Sequence, residues 1–232
     1  MARPTGLIFD KDGTLFDFNA TWGAWTRTML DAEASGDTAL VARLSQALGY
    51  DLTAGRFLAG SIVIAEPVHV VADTILRITG QTDKPALIAR MDAASAEVTQ
   101  QPAADLPDLM SRLRAAGHVL GLATNDSEAP ARRHLADHAI DTAFDFVAGA
   151  DSGFGHKPGP GQLNAFCART GIAPQDCAMI GDSTHDLTAG RAAGMICIGV
   201  LTGPAPRTEL GPHADVVLDS IADLPAWLAG QG

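Results

Sequence analysis

The sequence predicts an α/β protein with a mainly parallel sheet, helices on both faces of that sheet, and a helix-only insert after the first strand. Three observations carry this expectation. From Gly117 onward, short apolar runs alternate with amphipathic stretches, the strand–helix order that builds parallel sheets. Another apolar run, Leu7–Phe9, stands apart near the beginning of the chain. Between it and His118 the residues from about 20 to 100 read as helices alone, too long a stretch for a structureless connection.

Leu7–Phe9 reads as a short buried strand. Thr21–Ala34 follows as a helix carrying Trp22, Trp25, Met29 and Leu30. Asp37–Leu48 ends at Gly49, Pro67–Ile78 ends at Gly80, and Pro85–Thr99 is Ala-rich. Asp105–Ala116 sets Leu106, Leu109, Met110 and Leu113 on one face and returns the chain to the sheet. The remaining strands are expected at His118–Thr124, Phe144–Ala150, Cys177–Gly181, Ile196–Leu201 and Asp215–Leu218. Helices such as Leu163–Arg169 and Leu187–Ala193 lie between them, the second stopped by Gly194. The expected division is a core of residues 1–18 and 101–232 with an insert of residues 19–100.

Composition narrows the partners. The apolar fraction of 47% supports a substantial core. Lys and Arg total 16 against 27 acids, a net charge of −11, which argues against sequence-independent nucleic-acid binding. An anionic substrate stays compatible, because a metal and one lysine reverse the sign locally. No stretch is long and continuous enough to span a bilayer, and Met1-Ala2-Arg3-Pro4 leads into the first strand without an apolar signal segment. The expectation is a cytoplasmic protein, monomer or homodimer, with no membrane partner. Cys167, Cys177 and Cys197 are odd in number, lack CxxC spacing and read as buried reduced thiols.

The chemistry gathers at strand ends. The first strand runs into Asp10-Lys11-Asp12-Gly13-Thr14, and an unpaired charge leaving water costs several kcal/mol, so paired acids there imply a metal, a cation or a substrate. The second strand ends in Thr124-Asn125, with Asp126 or Ser127 able to cap the next helix. After the third comes Gly155-His156-Lys157-Pro158, and the fourth ends in Gly181-Asp182-Ser183-Thr184-His185-Asp186. Parallel strands bring these ends to one edge, where α/β sheets bind ligands. Singly, each residue has a plainer reading: a turn acid, a strand-end threonine, a solvated loop lysine, a helix-capping aspartate. Together they point to a site.

The set DxDGT at 10–14, Thr124, Lys157 and GDSxxD at 181–186 resembles the haloacid-dehalogenase superfamily of phosphotransferases, over nearly the whole chain. The resemblance implies a Rossmann-like three-layer core with an inserted, mobile, all-helical cap. It further implies Asp10 as nucleophile, Asp12 as general acid and base, and Gly13 as the turn whose amides approach the phosphoryl oxygens. Thr124 would hydrogen-bond the phosphoryl group, Asn125 would position it or the loop, and Lys157 would balance charge. Mg²⁺ would be held by Asp10, the Asp12 main-chain carbonyl and Asp182, with Asp186 near the metal or orienting water or Lys157. Asp12 favours phosphate esters over halides, since a halide leaves without protonation. The implied function is hydrolysis of a small phosphorylated metabolite, with 2-phosphoglycolate the first candidate because the layout resembles phosphoglycolate phosphatases. The alternatives are a sugar phosphomutase of the β-phosphoglucomutase type and a catalytically silent binding module.

Within the insert, Asp17-Phe18-Asn19 is expected to begin the hinge. Arg56 is a candidate for a substrate carboxylate, as are Arg27 and His69. Trp22 and Trp25 are expected to pack inside the insert.

Overall fold

The computed structural model describes residues 4–58, 60–96 and 98–231. From β1 (Gly6–Phe9) the chain enters an insert of α1 (Phe18–Ala34), α2 (Thr38–Leu48), β2 (Tyr50–Asp51), β3 (Arg56–Phe57), α3 (Ile62–Ala65), α4 (Val68–Thr79) and α5 (Lys84–Ala96). Helix α6 (Leu106–Ala115) leads back to β4 (Val119–Ala123). Then α7 (Glu128–Asp137), β5 (Phe146–Ala148), α8 (Gly161–Thr170), β6 (Cys177–Gly181), α9 (Thr184–Ala193), β7 (Ile196–Val200), α10 (Arg207–Leu210), β8 (Val216–Leu218) and α11 (Leu224–Ala229) follow.

Six strands form one parallel sheet in the order β5-β4-β1-β6-β7-β8. β1 is central, with Ile8 opposite Gly121 of β4 and Met179 of β6. Its four residues are all buried, as a strand covered on both faces requires. Leu7, Phe9, Leu120, Leu122 and Ile180 pack on one face against Leu109, Met110 and Leu113 of α6. Ile8 and Met179 pack on the other, against Leu163 and Phe166 of α8.

The insert has its own apolar cluster, built on Leu30, Leu44, Leu48, Ile75 and Leu87. Asp17 caps α1, accepting from the Ala20 N–H at 2.8 Å, and Asp37 does the same for α2. The insert is not all-helical: β2 and β3 pair as an antiparallel hairpin. Its turn is fixed by Asp51 Oδ1, which accepts from the Thr53 and Ala54 N–H groups, and by Gly55 at φ 64°. Helix α1 begins at Phe18, one residue before the expected boundary of the insert. No helix among the described residues is long and apolar enough to cross a membrane.

Candidate active site

The sheet delivers Asp10, Thr124 and Asp182 one residue beyond β1, β4 and β6. Pairing continues up to the site, since the Asp10 N–H donates to the Ile180 carbonyl at 2.8 Å and the Thr124 N–H to that of Ala148 at 3.0 Å. The loop after β5 supplies Lys157, and the first turn of α9 supplies Asp186. A cleft of ≈ 820 Å³, counted to its open mouth, lies between this sheet edge and the insert.

At its floor, Lys157 Nζ lies 2.6 Å from Asp10 Oδ1 and 2.7 Å from Asp186 Oδ1. All three side chains are buried, so the ammonium is the local counter-charge for both acids. Burial works to lower the Lys157 pKa, but Asp10 and Asp186 outweigh it and hold the lysine charged. Burial pushes Asp10 up to about 7, against the pull of Lys157. Asn125 fixes this lysine from behind, its Oδ1 accepting from the Lys157 N–H at 2.9 Å and its Nδ2 donating to the Lys157 carbonyl at 3.0 Å. Asn125 therefore holds the loop that carries Lys157, and it also lines the cleft.

Asp182 is the least satisfied acid of the group. Its Oδ2 is buried with no hydrogen-bond partner among the described residues, while Oδ1 receives a long 3.5 Å contact from Thr14. Burial, then the charges of Asp10 and Asp186, raise its pKa well above the usual carboxylate range. Two glycines leave room for it. A Cβ on Gly203 would sit 1.8 Å from Asp182 Oδ2, and one on Gly13 (φ 82°) 2.3 Å from the same atom. Asp10, Asp182 and Asp186 each offer an oxygen within 4.8 Å of the others, a hard-oxygen set suited to Mg²⁺. The orphaned oxygen of Asp182 fits that group best. Asp186 has both oxygens engaged, Oδ1 on Lys157 and Oδ2 accepting from the Ser183 N–H and hydroxyl.

Asp12 has partners of its own. Its Oδ1 accepts from Trp22 Nε1 at 2.6 Å and its Oδ2 lies 2.6 Å from Lys11 Nζ. Burial raises its pKa to about 6, against the opposing pull of Lys11. Lys11 is fully buried, also 2.9 Å from Asp126 Oδ2 and 3.2 Å from His134 Nδ1, with its Nζ 5.1 Å from the Trp22 ring centre. Thr124 Oγ1 accepts from the Asp126 N–H at 3.1 Å, which leaves its hydroxyl hydrogen for an acceptor in the cleft.

Two expected substrate contacts are placed as follows in the structure. The Gly13 N–H donates to the Phe16 carbonyl at 2.7 Å and so closes the turn after β1. Arg56 is exposed on the β2–β3 hairpin, outside the residues lining the cleft. Trp22 does more than pack, because its indole N–H reaches Asp12. Ser127 precedes α7 without a side-chain cap bond; its hydroxyl donates to Asp92 of the insert at 3.1 Å. Lys11 carries no role in the sequence reading, and Asp126 appears there only as a possible helix cap. A lysine in an apolar run with no path to water was the signal for both, since it demands a carboxylate partner. The thiols are free; Cys177 and Cys197 are buried, and Cys167 is half-buried.

Fold and site together define a class: a parallel α/β enzyme whose strand-end carboxylates and buried lysine face a cleft covered by an insert. A family model described as haloacid dehalogenase-like hydrolase matches residues 4–194, and the chain belongs to that family. It is 30% identical to the phosphoglycolate phosphatase of Rhodospirillum rubrum, over 97% of this chain and 91% of that one. It is 38% identical to the phosphoglycolate phosphatase of Chromobacterium violaceum, a match spanning about half of each chain, 50% and 52%. Two solved structures share the fold. One is from Haemophilus somnus, described as a predicted phosphoglycolate phosphatase, with TM-score 0.75, 17% identity and coverage of 98% and 99%. The other is a hydrolase from Pseudomonas syringae, with TM-score 0.70, 22% identity and coverage of 97% and 98%. With these relatives, the chain is a phosphoric monoester hydrolase.

Proposed function

We propose that this protein hydrolyses a small phosphate monoester, with Mg²⁺, through an aspartyl-phosphate formed on Asp10. The observation that carries this reading is the buried set of Asp10, Lys157 and Asp182, in which one carboxylate is paired and another holds an orphaned oxygen. A carboxylate attacking an anionic ester must have the repulsion between them relieved. Asp10 and Asp182, with the Asp12 main-chain carbonyl, would hold Mg²⁺, which when bound supplies that relief.

In the first step an Asp10 oxygen bonds to phosphorus while the bond from phosphorus to the ester oxygen breaks. Asp12 gives that oxygen its proton, so the alcohol leaves neutral. In the second step water attacks phosphorus, Asp12 takes back a proton, and the Asp10–phosphorus bond breaks to release phosphate. A carboxyl near pH 6 suits both directions of this transfer. Thr124 donates its hydroxyl to a phosphoryl oxygen, Lys157 faces the charge on the equatorial oxygens, and Asp186 and Asn125 hold Lys157 in place.

The insert acts as a cap. It meets the core through Trp22 on Asp12, Asp92 on Ser127, and the Ser95 carbonyl on His134 Nε2 at 2.8 Å. Closure by these contacts excludes water and limits the substrate to a small molecule. The names of the relatives make 2-phosphoglycolate the reference substrate. The test is Mg²⁺-dependent phosphate release from a panel of small esters. Release is expected from the wild type and abolished in Asp10→Asn; unchanged release in that variant would refute the reading.

A further inference from the structure

The cleft has a body beyond its reacting end, and the charges lining it restrict what the substrate carries there. Building on the phosphatase reading, we infer that the preferred substrate is a phosphate monoester of an uncharged, apolar alcohol with no second anionic group.

Among the described residues, Lys157 is the only lysine or arginine lining the cleft, and it is already paired with Asp10 and Asp186. Lys11 lies behind Asp12, paired with that acid and with Asp126. Residues 19–100 contain six further cations, and none lines the cleft. Arg27 pairs with Asp31, Lys84 with Asp73 and Arg90 with Glu33. Arg43 donates to the Ile78 carbonyl and Arg77 to Thr74, while Arg56 is exposed on its hairpin. The insert instead turns two acids, Glu66 and Asp92, toward the cleft. Apart from Ser95, the rest of its contribution is apolar and includes Phe18, Trp22, Trp25, Val68, Val71 and Met91.

A carboxylate on the substrate body would thus enter a chamber whose only lysine or arginine, among the described residues, is engaged with the reacting phosphate. It would face like charges from the insert, and leaving water unpaired is costly. An apolar body would bury against two indoles and a ring of aliphatic side chains, which is favourable per unit of area removed from water. A like charge about 7 Å from one partly buried acid should cost roughly tenfold or more in affinity. The inference therefore runs against 2-phosphoglycolate as the best substrate.

The test compares benzyl phosphate with 4-carboxybenzyl phosphate, and ethyl phosphate with 2-phosphoglycolate, with 4-nitrophenyl phosphate as a general substrate. Rates are measured with saturating Mg²⁺ at pH 8. The uncharged member of each pair is expected to show kcat/KM roughly tenfold or more above its carboxylated partner. Glu66→Gln should narrow both gaps by raising the carboxylated member. Phosphate release that favours the carboxylated esters, or gaps that Glu66→Gln leaves unmoved, overturns this inference and leaves the phosphatase reading standing. No release from any of the five esters overturns both.

Discussion

Replacing Lys11 by Met removes the cation that lies between two acids. Its Nζ lies 2.6 Å from Asp12 Oδ2 and 2.9 Å from Asp126 Oδ2, in a side chain with no exposure to solvent. Breaking a buried pair by deleting one partner costs about 3–5 kcal/mol, because the other charge is left without compensation. The Asp126 side chain is 36% exposed, and water there offsets part of the loss, so the low end, about 3 kcal/mol, is expected at pH 8. The pH dependence has a definite sign. Without the lysine, repulsion between Asp12 and Asp126 raises the folded-state pKa of one carboxyl above its unfolded value. The folded variant then binds more protons than the unfolded chain, so its stability recovers as pH falls, by up to about 1.4 kcal/mol per pH unit below the raised value. Urea unfolding followed by tryptophan fluorescence at pH 8 and pH 5.5 measures this. A Lys11→Met variant within about 1 kcal/mol of wild type at pH 8, or a deficit that does not shrink at pH 5.5, would show that the lysine does not carry these charges.

Two further perturbations probe the same neighbourhood. Burial, then the charge of Lys11, holds the His134 imidazole down at about 4, against an ordinary 6.5. Between those values the unfolded chain binds the extra proton, so wild type should lose up to about 3 kcal/mol relative to His134→Gln as pH falls from 6.5 to 4; parallel stability curves would contradict this. Asp182→Asn should weaken Mg²⁺ activation at least roughly tenfold, read from rate against metal concentration, by analogy with the loss of a carboxylate ligand from a hard-cation site. The same variant should melt at a higher temperature than wild type in metal-free buffer, because it removes a buried acid crowded by Asp10 and Asp186. A lower metal-free melting temperature would count against that crowding.

The parallel sheet was legible because each strand is an apolar run too short for a helix, and Leu7–Phe9 and Cys177–Gly181 could be placed almost to the residue. The β2–β3 hairpin was not, because two residues per strand are too few for an alternation to register. Asp10, Thr124, Lys157 and Asp182 could be picked out because strand ends in a parallel sheet must converge. Contacts set by packing between insert and core were beyond reach: nothing in the spacing of Trp22 shows that its indole meets Asp12. The placement of Arg56 was beyond reach for the opposite reason. Its charge invited a binding role, and only the position of the hairpin shows that it faces solvent.

Covalent phosphorylation of Asp10 is the most direct test of the proposed chemistry. Wild-type enzyme mixed with Mg²⁺ and a hydrolysable ester, quenched in acid within a turnover and digested, should yield the peptide containing Asp10 with one added phosphoryl group. The group should be removable by hydroxylamine and absent from Asp10→Asn. Steady phosphate release with no phosphorylated Asp10 at any quench time, or a phosphoryl group on another residue, would contradict the assignment of Asp10 as nucleophile.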